Sequence, residues 1–369
     1  MNQGRMKIRE LTAVLEQLAP VQYQEDYDNA GLIIGDPETE LQGVLVTLDV
    51  TEEVIREAVS KGCNLVVAHH PLIFRGLKKL NGKNYVERSV ILAIKNDVAV
   101  YAIHTNLDNV MNGVNFKIAE KLGLRNVKIL RKKKGTLLKL TVFVPEENAG
   151  DLLAALHKAG AGNIGNYSDC SFKTSGTGRF RPNEAANPAI GSKGALEEVQ
   201  ESRVEVMFPV HLKNQVLNAM YASHPYEEVA FYLHELENDN QEVGSGAIGL
   251  LPQEMNQEAF LAHLKSSMNL PLIKFTSTPK NIRKVAVCGG VGSFLLGDAL
   301  RAGADAFVTA DYKYHEFFDA EGRILIADIG HFESEVFTKD LLVEIISKKI
   351  TTFATCLSEV DTNPVNYYY

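Results

Sequence analysis

The order of strands and helices changes twice along the chain, and these two changes constrain the fold more than any other feature of the sequence. Before about residue 130 and after about residue 246, short apolar runs of strand length alternate with segments of helical period. Such alternation is typical of an α/β domain in which helices cover a sheet. The segment between the two changes has a different order: strand, helix, strand, strand, helix, strand.

That middle segment is bounded by polar breaks. Its order of elements is the one found in ferredoxin-like α+β domains, and a polar stretch from Phe180 to Glu197 is expected to be an exposed loop between its middle strands. The residues after the second break could form a third domain of their own. We prefer a discontinuous α/β domain of residues 1–130 and 246–369 with residues 131–245 inserted as a ferredoxin-like domain, because residues suited to chemistry lie at both ends of the chain.

The composition of the chain is that of a soluble globular protein. Of its 369 residues, 45% are hydrophobic and 23% are charged, values unlike those of disordered chains. A formal net charge of -8 gives no bulk electrostatic footprint for DNA or RNA. No stretch approaches the roughly 18 apolar residues of a membrane span, and the four cysteines stand far apart. We therefore expect a cytoplasmic protein with a small-molecule substrate and no nucleic-acid or membrane partner.

Side chains that commonly bind metals follow three of the predicted strands. Two adjacent histidines follow NLVVA, a histidine and an aspartate lie in HTNLD after VAVYAI, and a histidine and a glutamate lie in HFESE after ILIADIG. Ligands gather at the carboxyl ends of strands in α/β sheets, and helical turns at HTNLD and HFESE would place each pair on one face. The six candidates are His69, His70, His104, Asp108, His331 and Glu335.

Three separate strand ends that supply His or carboxylate at the same edge indicate metal binding rather than structural histidines. One catalytic ion usually takes three protein ligands, whereas two ions about 3.5–4 Å apart and bridged by a carboxylate would use all the candidates. Imidazole and carboxylate ligands without cysteine suit zinc, iron(II), manganese, cobalt or nickel. We take two zinc ions as the first choice, with iron or manganese as alternatives. Such a pair provides hydroxide near neutral pH, which predicts hydrolytic chemistry.

A glycine-rich segment, GGVGS, lies between the predicted strand VAVC and the predicted helix FLLGDALRAG. Glycines in this position can turn backbone N–H groups toward a phosphate at the start of a helix. A tight turn with a serine that caps the helix is the alternative. The candidate contacts to a cofactor or substrate phosphate are Gly289, Gly290, Gly292 and Ser293.

A second candidate substrate contact is the segment TADYKYHEF, which follows another predicted strand. It supplies Lys313 and His315, which are suited to contact an anionic substrate or to transfer a proton. A polar surface turn is the alternative. We treat both residues as catalytic candidates.

Six motifs and one longer segment are characteristic of a known family. The motifs are DNAGLIIGD, LDVT, AHHPLIF, HTNLD, CGGVGSF and DIGHFESE. Together they resemble the NGG-interacting-factor-three-like family, whose members are also named GTP cyclohydrolase 1 type 2 homologues. SHPYEEVAFYL resembles the PII/CutA-like domain inserted in the longer bacterial members, so the resemblance covers nearly the whole chain.

The resemblance implies a site for two metal ions and a homo-oligomer. The residues that fall on the family's ligand positions are His69, His70, Asp108, His331 and Glu335. Glu335 is implied as the bridge between the ions, and His104 falls beside the ligands as a proton carrier. The family also implies a hexamer whose metal sites face an interior cavity. The activity in its name implies that hydroxide attacks C8 of GTP and that formate is lost.

The sequence leaves more than one function open. The first hypothesis is a di-metal hydrolase that acts on a nucleotide or a related heterocycle. A phosphoesterase is its chief rival, and formate release would separate the two activities. The second hypothesis is a metal-dependent regulatory or scaffold protein that senses a ligand through the PII-like insert. Storage or trafficking of metal is a third and weaker hypothesis.

Overall fold

The structure is a computed structural model that describes residues 6–350 and 355–368. It has the mixed α/β architecture that the sequence predicts. Contacts between residues divide the chain into two compact units, Met1–Lys132 with Glu242–Tyr369, and Lys133–Gln241. The strands of the described residues are β1 Gly31–Ile34, β2 Val44–Thr47, β3 Leu65–Ala68, β4 Ala99–Ala102, β5 Arg125–Lys132, β6 Leu137–Pro145, β7 Phe172–Phe180, β8 Glu197–Pro209, β9 Phe231–Leu236, β10 Gly244–Met255, β11 Lys274–Phe275, β12 Ile282–Val291, β13 Ala306–Ala310, β14 Leu325–Asp328 and β15 Thr355–Leu357.

Helices alternate with these strands. Those of the described residues are α1 Ile8–Leu18, α2 Glu52–Ser60, α3 Tyr85–Lys95, α4 Thr105–Asp108, α5 Val114–Lys121, α6 Ala149–Lys158, α7 Lys213–Ser223, α8 Gln257–Ser267, α9 Leu296–Arg301, α10 His331–Glu335 and α11 Thr338–Lys349. Local chemistry fixes where they start: α2 follows Thr51, whose hydroxyl accepts a hydrogen bond from the N–H of Val54. Within the described chain, no helix combines the length and apolar character that crossing a membrane requires.

Five strands of the described chain form one sheet of the first unit, in the order β1-β4-β3-β2-β15. Neighbouring strands are parallel, except that β1 lies antiparallel to β4 at one edge. Every residue of β2, β3 and β4 is buried, which explains why these strands are almost entirely apolar in the sequence. Because β3 and β4 are parallel neighbours, the residues that follow them lie side by side.

The other sheet of the first unit has the order β11-β14-β13-β12-β10-β5. The strands β12, β13 and β14 are parallel, and the remaining neighbours are antiparallel. Phe307 of β13 and Ile326 of β14 pack with Leu296 and Ala299 of α9 in one apolar cluster. This packing fixes β14, which leads directly into α10.

The three ligand-bearing strands do not end at the edge of a single sheet, as the sequence analysis expected. The strands β3 and β4 belong to the five-stranded sheet, and β14 belongs to the six-stranded sheet. The expectation was wrong because hydrophobic periodicity identifies a strand but does not identify its hydrogen-bonding partner. The candidate ligands therefore come from the carboxyl ends of strands in two different sheets.

The second unit has the element order β6, α6, β7, β8, α7, β9. Its four strands are antiparallel to their neighbours and have the order β7-β8-β6-β9. An apolar core joins sheet residues such as Leu140 and Val206 to Leu152 of α6 and Val216 of α7. A long segment without regular structure connects β7 to β8.

The chain enters and leaves the second unit between two paired strands of the first. Lys132 at the end of β5 is the Cα partner of Gly244 at the start of β10, so a short glycine-containing turn can replace residues 133–241. We expect the shortened protein to stay soluble and to bind as much metal per chain as the full chain. Gel filtration with elemental analysis measures both properties. Unfolding or loss of metal would show that the first unit needs the second.

Candidate metal centre

Five of the six candidate ligands line one cavity of the first unit, and the sixth, His69, lies beside them. This cavity has a volume of about 1070 Å³ and is lined by residues that follow β3, β4 and β14. The helical turns predicted for HTNLD and HFESE are confirmed as α4 and α10. His69 is fully buried, and its ring lies 5.0 Å from that of His70, measured between centroids. The structure thus brings together segments that lie at opposite ends of the sequence.

Two groups of three candidate ligands share one carboxylate. The groups are His70, His331 and Glu335, and His69, Asp108 and Glu335; within each, the ligand atoms lie within 4.8 Å of one another. The Oε2 atom of Glu335 lies 2.9 Å from Nε2 of His70 and 3.1 Å from Nε2 of His331. Its Oε1 atom lies 3.9 Å from Nε2 of His69. The two oxygens of one carboxylate therefore face different groups.

His104 stands at the edge of the same cluster. Its ring centroid lies 5.3 Å from that of His69 and 5.5 Å from that of His70. These three histidines form a third group whose ring nitrogens could hold a metal. The structure places His104 close enough to be a ligand, and its role as a proton carrier stays a prediction.

Each histidine of the cluster is held through its Nδ1 atom. Carbonyl and ionised carboxylate oxygens only accept hydrogen bonds, so Nδ1 carries a proton, and in the neutral form of each ring the lone pair is on Nε2. Metal-binding histidines in proteins are oriented in this way. The partners are the Ile103 carbonyl for His69 (2.8 Å), Asp49 for His70 (2.7 Å), Asp28 for His104 (2.8 Å) and Asp311 for His331 (2.7 Å).

Asp28, Asp49 and Asp311 are not among the site residues predicted from the sequence. Asp49 follows β2 and Asp311 follows β13, and each of these strands is the neighbour of a ligand-bearing strand. An acidic residue at such a strand end is the sequence signal that could identify them. Asp28 precedes β1 and also accepts a hydrogen bond of 3.0 Å from the N–H of Thr105, the first residue of α4.

Two buried polar atoms of the cluster have no hydrogen-bond partner within the described structure. They are Nε2 of His69 and Oδ1 of Asp108, which lie 3.7 Å apart. Buried polar atoms without partners are rare in proteins and require a physical explanation. A divalent cation satisfies both, because imidazole nitrogen and carboxylate oxygen are its usual ligands. The residues of the cluster therefore fit a metal.

The two carboxyl groups of the cluster have opposite pKa shifts. Burial and the nearby charge of Glu335 raise the pKa of Asp108 well above its usual range. Burial also acts to raise the pKa of Glu335, but the surrounding imidazoles, His331 first, outweigh it and hold that pKa well below its usual range. The two carboxylates repel each other when both are ionised, and cations between them would offset the repulsion.

The two more accessible imidazoles have raised pKa values. Burial acts to lower the pKa of His70, but hydrogen bonds to Asp49 and Glu335 raise it to about 10. Burial opposes a similar rise at His331, where Glu335 and Asp311 raise the pKa to about 9. Because a metal binds the neutral imidazole, a metal ion that bound to this cluster would displace protons from these rings.

Comparisons with known proteins agree with this architecture. Residues 6–364 match the sequence family described as Duf34/NIF3 (NGG1p interacting factor 3). The chain belongs to this family. A relative from Halalkalibacterium halodurans, named GTP cyclohydrolase 1 type 2 homolog, is 40% identical over 360 residues, which cover 96% of the chain and 97% of that protein.

Further Duf34/NIF3 relatives match over almost their whole length. A Bacillus subtilis protein, also named GTP cyclohydrolase 1 type 2 homolog, is 38% identical over 370 residues, with 97% of the chain and 98% of that protein covered. A solved structure, a Bacillus cereus protein related to NIF3, has a TM-score of 0.84 at 37% identity and covers 98% of this chain and 99% of its own. The family resemblance read from the motifs is confirmed.

The glycine-rich segment of this Duf34/NIF3 chain packs against the ligand cluster. Gly289 and Gly290 belong to β12, and their N–H groups donate to the side chains of Asn115 and Ser334, each at 2.9 Å. A Cβ atom on Gly290 would lie 2.5 Å from Oε1 of Glu335. The two glycines thus leave space for a carboxylate of the cluster, and their N–H groups are already used within the protein, contrary to the expected phosphate contact.

The other two residues of the segment lie outside the cavity lining. Gly292 precedes a short 3-10 helix, Ser293–Leu295. A Cβ atom on Gly292 would lie 2.2 Å from the hydroxyl oxygen of Thr309, so close packing explains this glycine. The predicted long helix after Ser293 is shorter than expected, because α9 begins only at Leu296. A phosphate contact at Gly292 or Ser293 stays a prediction.

Lys313 and His315 also lie outside the cavity lining. Both are exposed, and they stand at the start of a 3-10 helix, Tyr314–Ala320. The His315 ring stacks on Phe318 there. The strand that precedes them instead brings Asp311 to the cavity. The catalytic roles expected for Lys313 and His315 stay predictions.

Proposed function

We propose that the chain is a metal-dependent hydrolase that holds two divalent ions and acts on a nucleotide or a related heterocycle. The proposal depends on one observation. His70 and His331 form one candidate ligand group with Glu335, His69 and Asp108 form another with Glu335, and the two groups have no other residue in common. Each ion then has three protein ligands, as is usual in catalytic sites. Zinc is our first choice of metal, with iron or manganese as alternatives. The relatives' names point to hydrolysis of a purine ring.

The residues around the ligands supply orientation and proton transfer. Bound ions provide a Lewis acid and lower the pKa of a water molecule. Asp49 holds the ring of His70, so that this Nε2 faces the cluster. At the cluster edge, Asp28 holds His104, whose ring lies 5.6 Å from that of Phe74, measured between centroids. We assign His104 the transfer of a proton at Nε2 to or from a substrate bound against Phe74.

Aromatic side chains form part of the cavity wall. Tyr27, Phe74 and Phe294 line the cavity, and their exposed fractions are 71%, 52% and 53%. Exposed aromatic rings in a concave site are suited to bind a planar apolar group. This wall supports a heterocyclic ring as the recognised part of the substrate.

The charged wall residues disfavour a polyphosphate. The lysine and arginine of the described lining are Lys274 and Arg88, and each is already paired, Lys274 with Asp328 at 2.6 Å and Arg88 with Glu52 at 2.5 Å. The acidic residues of that lining are Glu25, Asp49, Glu52, Glu53, Asp108, Asp311, Asp328, Glu333 and Glu335. A triphosphate would face carboxylates here, so a nucleobase or nucleoside suits the walls better than a nucleoside triphosphate.

Product analysis tests the proposed reaction. Zinc-loaded protein is incubated with guanine, guanosine or GTP, and formate and inorganic phosphate are measured, with metal-stripped protein as the control. We expect metal-dependent formate release, at least as fast from guanosine as from GTP. Phosphate release without formate would favour the phosphoesterase. Binding without any product would favour the regulatory or scaffold function.

Replacing His104 with Ala is expected to lower turnover by about 10²–10⁴-fold, the range for a positioned acid or base, without change in bound metal. The physical reason is that the five-residue ligand set stays complete while the proton carrier is lost. Steady-state rates and elemental analysis are measured together. His234→Ala is the matched control, because His234 is exposed on β9 of the other unit. Loss of metal from His104→Ala would make His104 a ligand instead.

We also propose a homo-hexamer, on the basis of the family resemblance. Light scattering at micromolar concentration measures the molar mass directly. A monomer under these conditions would contradict the proposal, while a mass of six chains would support it.

A further inference from the structure

The C-terminal segment of the chain runs along the metal cavity. It begins at β15, which pairs in parallel with β2. The N–H of Ser358 extends this pairing by donating to the Val46 carbonyl at 2.8 Å. Beyond this point the described residues lack regular structure, yet Pro364 and Tyr367 line the cavity. We call residues 358–368 the C-terminal strap.

The strap binds the carboxylate that orients a ligand histidine. Thr362 donates its hydroxyl to Oδ2 of Asp49 at 2.7 Å, while Oδ1 of the same carboxylate accepts from Nδ1 of His70 at 2.7 Å. The two oxygens of Asp49 are thus divided between the strap and the ligand. A carboxylate held at both oxygens cannot rotate freely, so Thr362 restrains the orientation of the His70 ring.

The strap also binds the helix that carries two other ligands. Glu333 is buried on α10, between His331 and Glu335. Its Oε1 atom accepts hydrogen bonds from Nδ2 of Asn363 at 3.3 Å and from the hydroxyl of Tyr367 at 3.1 Å. The strap therefore contacts the group of His70, His331 and Glu335 in two places, through the carboxylate that holds His70 and through the helix that carries the other two residues.

We propose that the C-terminal strap positions the ligands of one metal ion. Thr362 acts through Asp49 on His70, and Asn363 and Tyr367 act through Glu333 on α10. No strap residue belongs to a candidate ligand group, so the strap residues are positioning residues. The inference rests on the proposed metal site. It predicts that strap variants lower the affinity for metal at the group of His70, His331 and Glu335. The affinity at the group of His69, Asp108 and Glu335 should fall less.

The test measures metal affinity in the full chain with Zn²⁺ as the probe, by competition with a chromophoric chelator. We expect Thr362→Val to lower the affinity for one of the two ions by about tenfold, the lower end of the range for loss of a residue that orients a metal ligand. Thr362→Ser, which keeps the hydroxyl, should restore wild-type affinity. The absorption spectrum of bound Co²⁺ should change in Thr362→Val and not in Thr362→Ser, because it reports ligand geometry at the ion.

A matched control comes from the same end of the chain. The hydroxyl of Thr355 on β15 is buried and has no hydrogen-bond partner in the described ranges, so Thr355→Val makes the same chemical change without touching Asp49. We expect Thr355→Val to bind both ions with wild-type affinity. Equal affinities for Thr362→Val, Thr355→Val and wild type would overturn the proposal.

A second pair of variants tests the other side of the strap. Tyr367→Phe removes the hydroxyl that binds Glu333, while Tyr368→Phe removes a hydroxyl from a fully exposed side chain. We expect Tyr367→Phe to bind Zn²⁺ more weakly than wild type and Tyr368→Phe to bind it as wild type does. A chain that ends at Val360 should also bind Zn²⁺ more weakly. If the shortened chain binds both ions as wild type does, the strap has no positioning role. If wild type itself binds no Zn²⁺, the proposed metal site fails instead.

Discussion

Replacing Glu335 with Gln is expected to remove both of the proposed metal ions and all metal-dependent activity. Glu335 is the one carboxylate that belongs to both ligand groups, and its two oxygens face different histidines. A neutral amide cannot offset the repulsion between two cations and offers only one good metal-binding oxygen. Loss of a residue that merely orients a ligand weakens metal binding by about 10–100-fold, so we expect a loss of more than about 100-fold at both sites together.

Elemental analysis after dialysis measures this loss, and thermal unfolding provides an independent readout. At a free Zn²⁺ concentration of 100 Kd, each site stabilises wild type by about 2.7 kcal/mol, and the Glu335→Gln protein should show almost none of this gain. Glu344→Gln is the matched control, because Glu344 is paired with Lys348 on the surface of α11. Retention of one full ion by Glu335→Gln would show that Glu335 serves a single site and is not a bridge.

Buried strands could be predicted from the sequence more readily than exposed ones. The strands β2, β3, β4, β13 and β14 are mostly apolar in sequence, because both faces of these strands are buried. The strands β5 and β10 are not predicted from the sequence. The first is rich in charge and largely exposed, and the second contains glycines and a proline. These strands depend on pairing with distant partners, which local preference does not report.

The candidate ligands could be identified from the sequence because they follow the ends of clearly predicted strands. The hydrogen bonds that orient these candidate ligands could not be identified from the sequence. Nothing in local spacing links His331 to Asp311, or His70 to Asp49, since each partner follows a different strand. The strap is a more extreme case, because Thr362 lies 313 positions from Asp49. Hydrogen bonds over such separations depend on which strands pair, and a single sequence carries no direct record of that pairing.

The glycine-rich segment shows how one pattern fits two physical explanations. Glycine is needed wherever backbone must approach another group closely, and that group can be a phosphate or a protein side chain. In this chain the neighbour of Gly290 is the Glu335 carboxylate. Sequence reasoning identified a position that excludes larger side chains, but the identity of the neighbour required the fold.

Replacing Gly290 with Ala is therefore expected to damage the proposed metal site directly. Gly290 has a φ of +58°, and an added Cβ would lie 2.5 Å from Oε1 of Glu335 and 3.3 Å from Cε1 of His331. Glu335 is held in place by His70 and His331, so it cannot move aside without breaking those contacts. We expect Zn²⁺ affinity to fall by more than about tenfold, in addition to the roughly 1–3 kcal/mol lost through overpacking.

Gly303→Ala separates the two effects of this substitution. Gly303 has a φ of +70° with nothing within 4 Å of an added Cβ, so Ala at that position introduces the same kind of backbone strain and no collision. Both variants should unfold at lower temperature than wild type, because an alanine at positive φ is strained. Only Gly290→Ala should lose metal affinity, measured by the chelator competition used for the strap. Wild-type affinity in Gly290→Ala would mean that the Glu335 carboxylate does not occupy the position on which the bridge depends.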